Sequence, residues 1–392
     1  MNGAASLFET LVLCLSLFGA ATALSRMRLR HRGSVRLLES LGVDARLRRG
    51  GAEGELDGVR VRVTFFWQHE NNQQHHHQGE RAAWTRVEAY GATPALGFVR
   101  QGLAQGLLKS LGGQDIELGD PRFDDAVVVR GDASQALLLL SYETRHDIRH
   151  LVDGGGQIVD GVVRYEVLGH PGGALVGRPI IERATRLALA LAPERATRER
   201  LLERVEADPC PRVRQRALLE LWERGPRELL ERAMVFASAD PEEEVYGTAA
   251  LIRGDRDLIR TLSPAVFVEA AARAPQRAGR SLGEAGHEAA LLELLERGSA
   301  AAKLGAARGL HRAGTRAAVP LLRQIIDSVT AEADLKGAAR SALMAIQARS
   351  QGTAGALSVV DAGPSAGAVS VSEPTGGLSL APEGEAPRPR LR

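Results

Sequence analysis

Four stretches decide the fold: DPCPRVRQRALLELWERG from Asp208, DPEEEVYGTAALIRGD from Asp240, GSAAAKLGAARGLHRAG from Gly298 and TAEADLKGAARSALMAIQAR from Thr330. Each runs from a polar or Asp-Pro turn into a helix with small residues, then to a break. Ala217 and Ala249 are 32 residues apart, and so are Ala306 and Ala338. A fixed period in this range marks an α-solenoid, whose helical pairs bury their apolar faces only by stacking on neighbours. Leu201, Leu202 and Val205 form one helix face, and Val213, Ala217, Leu218 and Leu221 its partner. Ala290–Leu295 is expected to pair with Leu304–Leu310, and Val319–Ile326 with Leu335–Ile346. The gap of 57 residues from Ala249 to Ala306 leaves room for a degenerate copy around Pro264–Ala278. The four alanines are expected at equivalent helix crossings.

Working outward, residues 196–350 carry 24 Arg plus Lys against 22 Asp plus Glu. A nucleic-acid solenoid needs a basic stripe to displace counterions from phosphates, and this balance argues against one. Only three bases, Lys109, Lys303 and Lys336, are lysines. Cys14 and Cys210 are the two cysteines, too few for a disulfide framework.

Residues 4–24 are apolar apart from Ser6, Glu9, Thr10, Ser16 and Thr22. A helix of that length rises about 1.5 Å per residue and spans a bilayer core. Arg26, Arg28, Arg30, Arg32, Arg36, Arg46, Arg48 and Arg49 follow, against Glu39 and Asp44, making 25–49 a basic juxtamembrane segment. Positive charge after the apolar run predicts a single-pass anchor in the bacterial inner (cytoplasmic) membrane with a cytoplasmic body. The alternative is export after cleavage at Ala21-Thr22-Ala23, although signal peptides place their charge before the apolar core.

Residues 50–192 change texture. Gly58–Trp67 and Ala82–Tyr90 alternate as strands, with a polar loop between them containing His75, His76 and His77. Val127–Arg130 is a strand, Ala133–Val152 is helical with a break near Ser141, and Arg178–Leu191 is a helix stopped near Pro193. Gln157–Val167 is a hairpin turning at Asp160-Gly161. Mixed strands and helices without a βαβ rhythm predict an α+β domain. Residues 350–392, rich in Gly, Ala, Ser and Pro, are expected to be a disordered tail.

Three clusters could carry chemistry. His146 and His150 share a helix face at the spacing of a zincin helix, which would support a metal-dependent hydrolase. Asp147 stands where that motif needs Glu, and no third ligand follows at a recognisable spacing. His69 with His75–His77 offers imidazoles for zinc, nickel or copper in a loop whose composition predicts adventitious binding. Asp120, Asp124 and Asp125 could serve acid–base work, but Asp and Pro before a strand read as a turn. No catalytic, cofactor or metal residue is therefore assigned, and no cofactor is expected.

The repeats from 196 to 349 resemble HEAT-type repeats, specifically the short variety related to the phycobilisome-lyase repeat, which implies a scaffold. Gly119-Asp120-Pro121-x-Phe123-Asp124, followed by a strand and a leucine-rich helix, resembles an uncharacterised bacterial module and implies no activity. The expectation is an N-terminal transmembrane helix, an α+β domain and an all-α HEAT-like α-solenoid. Such a protein would be a membrane-tethered scaffold for a protein partner; the alternatives are the His146/His150 hydrolase or a nucleic-acid-binding solenoid.

Overall fold

The computed structural model describes residues 32–48, 51–69, 81–101, 115–169 and 177–351. It divides into two compact units, 1–249 and 250–392. The first combines an antiparallel sheet with helices, and the second is helical. The expected anchor at 4–24 and the tail from 352 onward lie outside the described residues, and no described helix is long and apolar enough to cross a membrane.

In the first unit, helix α1 (32–39) buries Leu37 and Leu38. An eight-stranded antiparallel sheet follows in the order β1-β2-β3-β4-β8-β7-β5-β6. Its strands are β1 (Arg46–Arg48), β2 (Gly51–Leu56), β3 (Val59–His69), β4 (Arg81–Tyr90), β5 (Leu96–Arg100), β6 (Val127–Gly131), β7 (Gln157–Val159) and β8 (Val162–Leu168). Helix α1 and β1 both fall within 25–49, so the later part of the basic segment is folded rather than a plain linker. Asp57-Gly58 and Asp160-Gly161 close hairpins with both residues at positive φ, as a type I′ turn requires.

Val61, Val63, Val87, Ala89 and Val163 alternate onto the buried sheet face. The opposite face of the β4–β8 pair carries two directly opposed ion pairs: Arg86 with Glu166 at 2.6 Å, and Arg164 with Glu88 at 3.0 Å. Such cross-strand pairs fix register at about 0.2–1 kcal/mol each.

Four helices belong to this sheet region. They are α2 (Pro121–Asp124), one turn long, α3 (Ala133–Leu139), α4 (Tyr142–Asp153) and α5 (Arg178–Ala190). The expected break near Ser141 separates α3 from α4, where the Ser141 hydroxyl accepts from the Thr144 N–H at 3.1 Å. Helix α5 buries Ile181, Ala184, Leu187 and Ala188 against β3, β4 and β8.

Helices α6 (Glu199–Ala207), α7 (Pro211–Arg224) and α8 (Arg227–Ser238) also belong to the first unit. The unit boundary falls inside α9 (Glu243–Arg253), between Ala249 and Ala250. Pro211 opens α7 at a position where a missing N–H costs nothing, and Val213, Ala217, Leu218 and Leu221 are its buried stripe.

The second unit holds α10 (Arg256–Thr261), α11 (Val268–Arg273), α12 (Pro275–Ala285), α13 (Glu288–Arg297), α14 (Ala300–Ala313), α15 (Val319–Asp327) and α16 (Ala333–Gln351). The expected pairs α13 with α14 and α15 with α16 are in contact. The stretch around Pro264–Ala278 is occupied by a 3-10 turn, α11 and the start of α12. One expectation needs correction. Ala217, Ala249 and Ala306 are buried, but Ala338 is only half-buried and Ala339 takes the buried place. The buried place at Ala306 thus recurs 33 residues later, one residue beyond the expected period.

Candidate functional site

The sequence candidates lie apart, in different environments. His146 and His150 stack edge-to-face on exposed turns of α4, ring centroids 4.5 Å apart. Asp147 between them is held by Arg186 at 3.0 Å. Among the described residues no group of three or more His, Cys, Asp or Glu could hold a metal ion. His75, His76 and His77 lie outside the described residues.

The Gly119–Asp125 turn is an organised knot. Both carboxylate oxygens of Asp124 accept backbone N–H groups, from Leu118 at 3.0 Å and Gly119 at 2.8 Å. Burial nevertheless pushes the Asp124 carboxyl up from its ordinary value, against the pull of those two bonds. Asp120 accepts from Arg145 Nε at 2.9 Å, while Arg145 Nη1 and Nη2 form a fork on Asp208 at 2.9 and 3.0 Å. The side chains of Arg145 and Asp208 are each only 1% exposed, that of Asp120 14%. Burial pulls the Arg145 guanidinium down, but its bonds to Asp208 and Asp120 leave it raised.

Asp208 Oδ1 also accepts the Cys210 N–H at 3.0 Å, and the Cys210 thiol donates to the Gly119 carbonyl at 3.0 Å. The knot therefore ties the turn, α4 and the start of α7 together. Arg214 repeats the device one copy later, forking onto Asp240 at 2.7 and 2.9 Å while its Nη1 donates to the Asp208 carbonyl. Both oxygens of Asp124 and of Asp208 accept hydrogen bonds from within the knot, which makes it an internal fastening.

Arg204 on α6 sits beside this knot in a different state. It is 5% exposed, its Nε and Nη2 have no hydrogen-bond partner among the described residues, and burial lowers its pKa.

An open groove with a charged lining lies in the second unit. Gly279 and Gly283 on α12 face Gly305 and Gly309 on α14, each pair four residues apart and so on one helix face. A Cβ on Gly279 would lie 2.1 Å from the Gly305 carbonyl oxygen, and one on Gly305 2.1 Å from that of Pro275. No side chain fits there, so the two backbones approach closely. The next positions round each helix, Arg280 on α12 and Arg308, His311 and Arg312 on α14, are exposed. With Asp334, Gly337 and Ser341 on α16 they line a groove of about 560 Å³.

Arg312 is paired with Glu284. Neither Arg280 nor Arg308 forms an ion pair among the described residues. Sequence reasoning marked Ala338 of this groove as a helix crossing and passed over its charged residues. The available signal was the repeated G-x-x-x-G, at Gly279–Gly283 and again at Gly305–Gly309.

Comparison with known proteins adds no relative: no family model, no curated protein and no solved structure matches the chain.

Proposed function

We propose that the chain is a membrane-tethered scaffold that binds a protein partner through a HEAT-like solenoid in its C-terminal half. The observation that carries this reading is the groove between α12, α14 and α16. Close glycine contacts hold α12 against α14, and the groove lined by these helices and α16 presents arginine, histidine and serine to solvent. Repeated helical pairs create extended binding surfaces of this kind. The resemblance of the four stretches to HEAT-type repeats supports the same reading. The apolar run at 4–24 with the arginines behind it supports a single-pass tether, the body staying on the arginine side.

Isolation of the tagged full chain from solubilised membranes tests the reading. A stoichiometric protein partner should co-purify, and Gly305→Ala, which disturbs the contact between two of the groove's helices, should reduce its yield. The reading fails if the chain purifies alone and instead holds one equivalent of metal that His146→Ala removes.

A further inference from the structure

Resting on the scaffold reading, we infer that the groove between α12, α14 and α16 receives an extended acidic segment of the partner, its spaced carboxylates meeting Arg280 and Arg308. The near-neutral balance of the repeat region conceals a segregation of charge. Residues 196–249 carry 9 Arg plus Lys against 12 Asp plus Glu, whereas residues 250–351 carry 15 against 10. The excess of base thus lies entirely in the unit that contains the groove.

Within the groove, Arg280, Arg308 and Arg312 stand against one lining acid, Asp334. Arg312 already has Glu284, which leaves two exposed guanidinium groups on the adjacent helices α12 and α14. A guanidinium fork matches a carboxylate in geometry and charge, and two forks on adjacent helices select a ligand with at least two acidic groups. The open groove of about 560 Å³ leaves room for a short length of extended chain to lie along it.

The competing occupant is a nucleic acid. Single strands are held by aromatic platforms as well as by charge, and the groove is lined by no Phe, Tyr or Trp. Asp334 on the α16 wall would also lie against a continuous row of phosphates, whereas a peptide can place a neutral residue beside it. The lining therefore favours a peptide.

The test uses the detergent-solubilised full chain and fluorescence anisotropy. The probes are a short labelled peptide alternating Glu with Ala, its Gln counterpart, and single-stranded and duplex DNA of similar length. The Glu peptide should bind about ten-fold more tightly than the Gln peptide and weaken with added salt, as an exposed charge contact must. Arg280→Gln and Arg308→Gln each remove an exposed charge and keep a polar side chain in its place. Each should weaken binding by about three- to five-fold, near the upper end for exposed charge pairs. Arg227→Gln, exposed on α8, should change nothing.

Equal binding of the two peptides overturns the inference, as does wild-type affinity in both groove variants. Tighter binding of DNA that the same variants abolish overturns it in favour of a nucleic acid. If the peptide fails while a partner still co-purifies with the full chain, the inference falls and the scaffold stands. If both fail, the scaffold reading falls with it.

Discussion

Asp208→Ala should be the most damaging single change in the first unit. The side chain accepts both forks of the Arg145 guanidinium and the Cys210 N–H, so its removal strands a cation that is 1% exposed. Breaking a buried ion pair from one side costs about 3–5 kcal/mol, because the remaining charge keeps its desolvation penalty without its partner. Asp120 still accepts from Arg145 Nε, which places the expected loss toward the lower end. For a unit of this size each kcal/mol moves the midpoint about 2–4 °C, so a fall of roughly 6–12 °C follows.

Trp67, Trp84 and Trp222 are the chain's three tryptophans and all belong to the first unit, so tryptophan fluorescence reports its unfolding selectively. The double variant Arg145→Met with Asp208→Leu should recover most of the loss. It removes both charges at once, and Asp120, 14% exposed, can turn to water. A midpoint drop below about 2 °C for Asp208→Ala, or a double variant worse than the single, would refute the knot as the fastening of this unit.

Arg204→Met should be neutral or stabilising by about 1 kcal/mol in the same assay, since it replaces a buried, incompletely bonded cation by an apolar side chain. A loss beyond 2 kcal/mol would mean that its guanidinium is held in a way the bonding does not reveal. Gly305→Ala places a Cβ against the Pro275 carbonyl and should cost about 1–3 kcal/mol in the second unit. Hydrogen exchange should quicken across residues 275–313 and stay unchanged in the sheet; unaltered exchange at 275–313 would contradict the close helix contact.

Burial raises the Cys210 thiol above its ordinary value, so it should alkylate slowly at neutral pH in peptide-resolved labelling. The folded thiol holds its proton more tightly than the unfolded one. Its contribution to stability is therefore full below the ordinary thiol range and is lost as pH rises toward the folded value. Cys210→Ala should abolish that alkaline loss, and a variant that keeps it would assign the loss to other groups.

The features legible in sequence were those written by neighbours. The Ser141 break, the Asp160-Gly161 turn and the helical pairs around Val213, Leu304 and Leu335 each rest on local spacing. Short elements escaped for lack of pattern. Strand β1 is three residues, all exposed, inside an arginine run, and its pairing with β2 is set by the sheet rather than by its own alternation.

The knot at Arg145 was hidden because its partners stand 25 and 63 residues away, and Asp120 and Asp208 are each plausible turn residues on their own. A strict 32-residue period misplaced Ala338 because the last spacing is one residue longer, and one position along a helix turns the side-chain direction by about 100°. The groove was masked twice: summed charge over the repeats cancelled, and attention to alanine at the crossings passed over the glycines that make the closest approach.

The claim that the second unit is the binding surface is tested most directly by hydrogen exchange on the full chain, alone and with its co-purified partner. The account predicts slowed exchange on α12, α14 and α16, centred on residues 276–284, 308–312 and 333–341, with the strands β3 and β4 unchanged. Protection confined to the sheet or to α4, with the groove exchanging as fast as in the free chain, would contradict it.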